Sequence, residues 1–131
     1  MKATGLENSK SVAYFEYDFS KHGGAVGDIA VTGDVIPKGA IITGGMAHVK
    51  VACASGGSAT VAAKAINTAD VMAAQALANL TLNARRDVVP NNTAANSILL
   101  TSNLTALTFT IGTAALTAGK IVIALDWIET A

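Results

Sequence analysis

The stretch from Thr105 to Glu129 constrains the fold of this chain more than any other. Its first arm alternates Leu107, Phe109 and Ile111 with Thr108 and Thr110, the period-2 pattern of a strand with one buried face. Its second arm places Ile121, Ile123, Leu125 and Trp127 on one face. The opposite face carries Val122, Ala124, Asp126 and Ile128, which is apolar for a side that would meet water. Gly112 and Gly119 bracket a run of small residues where the backbone can turn at little steric cost. The two arms read as a β-hairpin whose odd-numbered face, from Leu107 to Trp127, lies in the core. A strand apolar on both faces is either central between layers or pressed against another subunit. Asp126 favours the subunit seam, because a carboxylate is better tolerated near a wet interface than in a dry core.

Composition sharpens that choice. Of 131 residues, 51% are hydrophobic and 14% charged, against about a quarter charged in an ordinary soluble domain. The exterior is therefore built from Thr, Ser, Asn and Ala, or is partly covered by partner subunits, and oligomerisation is the expectation. With 9 Lys+Arg and 9 Asp+Glu the net charge is +0, so nothing supports nucleic-acid binding, which relies on clustered cations. No run reaches the ~18 apolar residues of a membrane-spanning helix. The first ten residues lack the apolar stretch of a secretion signal. Cys53, the one cysteine, allows no internal disulfide. These features point to synthesis in a reducing cytoplasm, with neither nucleic acid nor membrane as a partner.

Residues 1–10 are polar and unpatterned and read as a flexible N-terminal arm, with residues 11–131 as one β-sandwich domain. Ser11 to Phe19 is an aromatic strand with Ala13, Phe15, Tyr17 and Phe19 on its inner face and Val12, Tyr14, Glu16 and Asp18 on the other. Ser20 to Ala25 reads as a loop, Asp28 to Thr32 as a short strand and Ile36-Pro-Lys-Gly39 as a β-turn. From Met46 to Ala54 the alternation directs Ala47, Val49, Val51 and Cys53 one way and Met46, His48, Lys50 and Ala52 the other. Ser55-Gly-Gly-Ser58 suggests a second hairpin, onto Ala59 to Ile66. Around residues 69–78 the Ala, Met and Gln content favours a short helix capped by Asn67 or Thr68, with a polar crossover around a short strand as the alternative. Ser97 to Thr101 reads as a further strand. Turns every 8 to 12 residues and little secure helix indicate an all-β, single-domain, jelly-roll-like antiparallel β-sandwich.

No catalytic, cofactor or metal constellation emerges. His22 and His48 lack metal spacing, and Cys53 lies on an apolar strand face as a small hydrophobe. Gly112 to Lys120 superficially matches a phosphate-binding loop, but Ile121 replaces the required Ser or Thr and a strand follows where a helix is needed. Asp18, Asp28 and Asp34 lack the ligand density of a calcium loop and read as solvated acids. The glycosylation triplets at Asn79, Asn91 and Asn103 accompany no secretion signal. Arg85-Arg86 is the one local cation pair, either a solvated loop or a contact to an acidic partner. The chain reads as a non-enzyme.

The order of several turns carries a resemblance. An aromatic first strand ending Tyr17-Asp18-Phe19 precedes Gly-Gly-Ala-Val-Gly27 and Ile36-Pro-Lys-Gly-Ala-Ile-Ile42. Then come Ser-Gly-Gly-Ser-Ala-Thr-Val61 and Leu-Thr-Phe-Thr-Ile-Gly-Thr-Ala-Ala-Leu-Thr-Ala-Gly-Lys120. From about Val12 to Ile128 the chain resembles the capsid decoration, or cement, proteins of tailed bacteriophages. The resemblance implies a homotrimer on the outer surface of the virion capsid, clamping neighbouring major capsid subunits, and an N-terminal arm that helps contact the shell. The alternative is a carbohydrate- or receptor-binding sandwich of a phage tail or head fibre. It fits less well, because the aromatics occupy apparent core positions and only Tyr14 is free to stack on a sugar. The residues expected to meet partners are Lys2 in the arm, Tyr14, Arg85, Arg86, and Val122, Ala124 and Ile128 on the apolar outer face.

Overall fold

Strands that each carry one apolar face need a second layer to bury it. The computed structural model describes residues 11–129. Its strands are β1 (Ser11–Asp18), β2 (Gly27–Ile36), β3 (Ala40–Ser55), β4 (Thr60–Lys64), β5 (Met72–Ala76), β6 (Arg85–Asp87), β7 (Ile98–Leu99), β8 (Leu104–Gly112) and β9 (Leu116–Glu129). One helical turn, α1 (Phe19–His22), follows β1, and a 3₁₀ turn, Leu77–Asn79, follows β5. The arm expected over residues 1–10, with Lys2, lies outside the described residues.

The strands form one antiparallel sheet in the order β5-β4-β8-β2-β1-β9-β3-β6, with β7 also on β3. β1 and β2 meet at a single pair, Phe15 with Gly33. There the sheet curls, so that β5-β4-β8-β2 faces β1-β9-β3-β6. A Cβ at Gly33 would collide with the Tyr14 carbonyl oxygen and the Phe15 ring, so the absence of a side chain is what lets this corner close. Tyr17 of β1 meets Phe109 of β8 across the interior, with ring centroids 5.5 Å apart. Successive strands mostly cross from one layer to the other, giving a curled antiparallel sheet whose two halves face each other.

The core matches the alternation. Ala13, Phe15 and Tyr17, then Leu107, Phe109 and Ile111, then Ile121, Ile123 and Leu125 are all buried. Each large side chain among them contributes roughly 1.5–3 kcal/mol. Trp127 is half-buried and packs at the edge of the core.

The strand partners differ from expectation. β8 pairs with β2 and β4, and β9 pairs with β1 and β3. The terminal stretch is therefore an arch between layers rather than a hairpin. The Ser55 to Ser58 connection is likewise an arch, since β3 and β4 lie in different layers. In both cases the apolar faces meet across the core, which an alternating pattern permits as readily as pairing side by side.

The helix expected around residues 69–78 is instead strand β5, with Met72 opposite Ala63, Gln75 opposite Val61 and Ala76 opposite Thr60. Asp70 explains the outcome. Its carboxylate accepts from the backbone N–H groups of Ala65 (2.7 Å), Ile66 (3.0 Å) and Asn67 (2.8 Å). The residues proposed to cap a helix are thereby held in a tight turn that feeds an edge strand. Helix propensity of a few tenths of a kcal/mol per residue does not compete with those bonds and the burial of Val71 and Met72. In α1, which the sequence reads as loop, Asp18 caps the turn by accepting from the Ser20 N–H at 3.0 Å.

β3 runs unbroken through Gly44-Gly45, and it carries extra residues relative to β9. Val49 opposes Ile121 while Val51 opposes Lys120, so a bulge at Lys50 rotates the strand. Val51, expected inside with Val49 and Cys53, is consequently exposed at 46%.

Candidate docking face

The two outer faces of the sandwich differ in chemistry. Directly opposed residues of an antiparallel pair project to the same side, so the registers define each face row by row. Outside β4-β8-β2 lie Thr108, Thr110, Asp28 and Lys64. Lys64 Nζ reaches Asp28 Oδ2 at 3.3 Å, and the Thr110 hydroxyl donates to Asp28 Oδ1 at 2.8 Å. These bonds hold the Asp28 carboxyl below the usual carboxylate range, the Thr110 hydroxyl first and Lys64 second. This is a solvated polar surface.

The outer face of β1-β9-β3-β6 is apolar through its middle. One row joins Tyr14, Ala124, Met46 and Asp87; the next joins Glu16, Val122, His48 and Arg85. Farther along, Val12 opposes Asp126, which opposes Gly44, and then Ile128, Ile41 and Leu99 form a row. Tyr14 is 56% exposed and Met46 is 49% exposed, although both sit in the middle of a sheet. Tyr14, Val122, Ala124, Met46, His48, Lys50 and Arg85 line a shallow depression of about 360 Å³.

Of the residues expected to meet partners, Tyr14, Val122, Ala124 and Arg85 converge on this depression, and Ile128 lies on the same outer face. Arg86 does not join them. It opposes Ala47, a core residue, and its Nε donates to the Arg85 carbonyl oxygen at 2.8 Å, because neighbours on a strand face opposite sides. Sequence reasoning places Met46, His48 and Lys50 on the outward face of their strand but gives them no partner role. The signal was there in Met46, a large apolar residue on the face that otherwise carries His48 and Lys50.

The remaining chemistry-bearing groups are dispersed. Cys53 is buried, which pushes its thiol up to about 11, far from a reactive thiolate. Tyr17 donates to the Gly23 carbonyl oxygen at 2.6 Å and stacks on His22; burial, then Cys53 and Asp18, pushes its phenol up to about 12. Asp34 accepts from the Tyr14 N–H at 2.9 Å, Asp18 faces Ser20 and Lys120, and Asp28 faces Lys64, so the three acids weighed as a calcium cluster stand at separate positions. Among the described residues no group of three or more metal-ligating side chains converges, and no helix is long and apolar enough to cross a membrane. Tyr14 is the one large exposed aromatic ring among them, a sparse platform for stacking a sugar.

The fold has solved counterparts. A chain of the capsid asymmetric unit of cyanophage Pam1 superposes with a TM-score of 0.68 at 17% identity, covering 92% of this chain and 85% of that one. A chain of the acid-stable capsid of the Helicobacter pylori bacteriophage KHP30 superposes with a TM-score of 0.61 at 13% identity, covering 93% and 89%. No protein-family model and no curated protein sequence matches the chain. The likeness is one of fold, extending over nearly the whole of each chain.

Proposed function

We propose that this chain is a non-catalytic structural protein of a phage virion, a decoration protein that sits on the outer surface of the capsid as a homotrimer and bridges neighbouring major capsid subunits. The observation that carries the reading is the contrast between the two outer faces: one polar and internally paired, the other an apolar strip from Leu99 to Val122. The shared fold of two phage capsid chains supports it. The strip has two apolar parts separated by the row of Val12, Asp126 and Gly44. The part formed by Ile128, Ile41 and Leu99 suits a contact between copies, being apolar without charge. The depression around Tyr14 suits the shell. Modest contacts of this kind, repeated over a lattice and made by three linked copies, hold by avidity.

The test is co-sedimentation of the purified chain with empty shells of its phage, with and without residues 1–10, alongside sedimentation velocity of the free protein. The expected results are a trimer in solution and saturable binding to shells. A stable monomer at micromolar concentration, or intact protein that leaves the shells unbound, overturns the proposal. Loss of binding only on truncation assigns the tether to the arm.

A further inference from the structure

The depression on the outer face carries an asymmetry of charge that apolar burial alone does not explain. Its floor is Tyr14, Met46, Val122 and Ala124, while one rim carries Lys50, Arg85 and His48, and no carboxylate lines it. Two other cations of this sandwich are paired with acids. Lys64 pairs with Asp28, and Lys120 lies 3.8 Å from Glu16 and 3.9 Å from Asp18. Lys120 thereby partly offsets Glu16, which opposes Val122 of the floor. Lys50 and Arg85 form no ion pair among the described residues, and both are exposed. Asp87, opposite Met46 and two residues from Arg85 on β6, shares the outer face and borders the depression without lining it. The bulge in β3 keeps this arrangement in place: Lys50 is the extra residue between Val49 and Val51, so it projects at the rim instead of entering the ladder with β9.

We infer that this depression receives an acidic protein segment with an apolar anchor: a side chain seated between Tyr14 and Met46 and carboxylates beside it facing Lys50 and Arg85. The inference rests on the reading of this face as a docking surface and adds the chemistry of what docks. Charge complementarity selects the occupant. A second copy presenting the same depression would set Lys50 and Arg85 against like charges or against apolar floor, whereas carboxylates pair with both. Arg85 offers a carboxylate two parallel N–H donors, and Lys50 offers a mobile point charge at the mouth. The apolar floor supplies desolvation around those pairs, and the cations set register and on-rate.

The experiment uses the full chain and synthetic peptides. One peptide alternates Glu with Leu and Phe, a second carries Lys in place of each Glu, and a third keeps Glu but replaces the apolar residues by Ser. Binding is followed by NMR at the Met46 methyl and the Tyr14 ring. The acidic apolar peptide is expected to shift both signals saturably, more weakly as salt rises. Lys50→Glu with Arg85→Glu should weaken it by about tenfold or more, with the amide spectrum otherwise preserved as the check on folding. Lys50→Ala with Arg85→Ala, which introduces no repulsion, should give an intermediate loss. Equal binding of the lysine peptide, unchanged affinity in the charge-reversed variant, or shifts confined to other surfaces overturn the inference. So do Met46 and Tyr14 signals that respond to protein concentration and not to peptide, which assign the depression to a second copy. Shell co-sedimentation of the unmodified chain is read separately, so loss of the docking reading is distinguished from loss of the acidic-segment inference.

Discussion

Thr43 is the extra residue of the first bulge in β3, between Ile42, opposite Trp127, and Gly44, opposite Asp126. Its side chain is buried, and Oγ1 has no hydrogen-bond partner among the described residues. A hydroxyl stripped of water without a replacement bond costs about 1–3 kcal/mol. Thr43→Val keeps the branched shape and removes the hydroxyl, so it is expected to raise stability by about 1 kcal/mol in urea unfolding, with an unchanged slope. A fall in stability would mean that the hydroxyl is bonded in the folded protein. Asp28 gives a second residue-level test. The Thr110 hydroxyl and Lys64 lower its folded pKa. The stability it adds is therefore present above the ordinary carboxylate pKa and is lost as pH falls through the lower, folded value. Thr110→Val removes the leading cause. The Asp28 carboxyl, followed by carbon NMR, should then titrate at higher pH, and the acid limb of stability should move with it.

Among the elements, the β4–β5 connection depends on one side chain. Asp70 satisfies three backbone donors, and Asp70→Ala strands all three while freeing a turn that includes Ala69 at φ 54°. The expected cost is about 2 kcal/mol, with faster amide exchange confined to residues 65–76. Unperturbed exchange there would show the turn to be held by Val71 and Met72 packing instead. This same connection marks the limit of what the chain reveals before it folds. Alternation identifies the inner residues of β1, β8 and β9, because burial of one face is a local constraint on every second residue. It says nothing of which strand lies alongside, so β8 and β9, adjacent in sequence and each correctly faced, read as partners although they sit in opposite layers. Composition misleads at residues 69–78, where three hydrogen bonds from one carboxylate outweigh the helix preference of alanine. Bulges are invisible to a strict period of two, which is why Val51 is read as inner and Lys50 as merely polar. The candidate docking face was partly legible for the same reason that the core was. Val122, Ala124 and Ile128 stand out as apolar on the wrong side, and Tyr14 as an aromatic on that side. Arg85 joins them through the register of β6 on β3, a long-range pairing that no local pattern encodes.

At the scale of the whole molecule, and on the proposed reading of a trimeric decoration protein, the two apolar parts of the outer face make separable predictions. Val122 is half-buried beside His48 and Glu16, so a carboxylate there stays in reach of water and of the cations at the rim. Val122→Asp is expected to cost the subunit less than about 1 kcal/mol, to leave the oligomer intact, and to weaken shell binding at least tenfold, because it both wets the floor and neutralises the rim. Ile128 lies in the row with Ile41 and Leu99, away from that rim. Ile128→Asp is expected to dissociate the trimer while single subunits keep their fold. Its shell binding should fall further than that of Val122→Asp, since three weak contacts made by separate chains lose the avidity of three made together. Sedimentation velocity and shell co-sedimentation of the two variants read these effects independently. If Val122→Asp dissociates the trimer, the seam between copies passes through the depression. If both variants bind shells as the unmodified chain does, the apolar strip is not the face that meets the capsid.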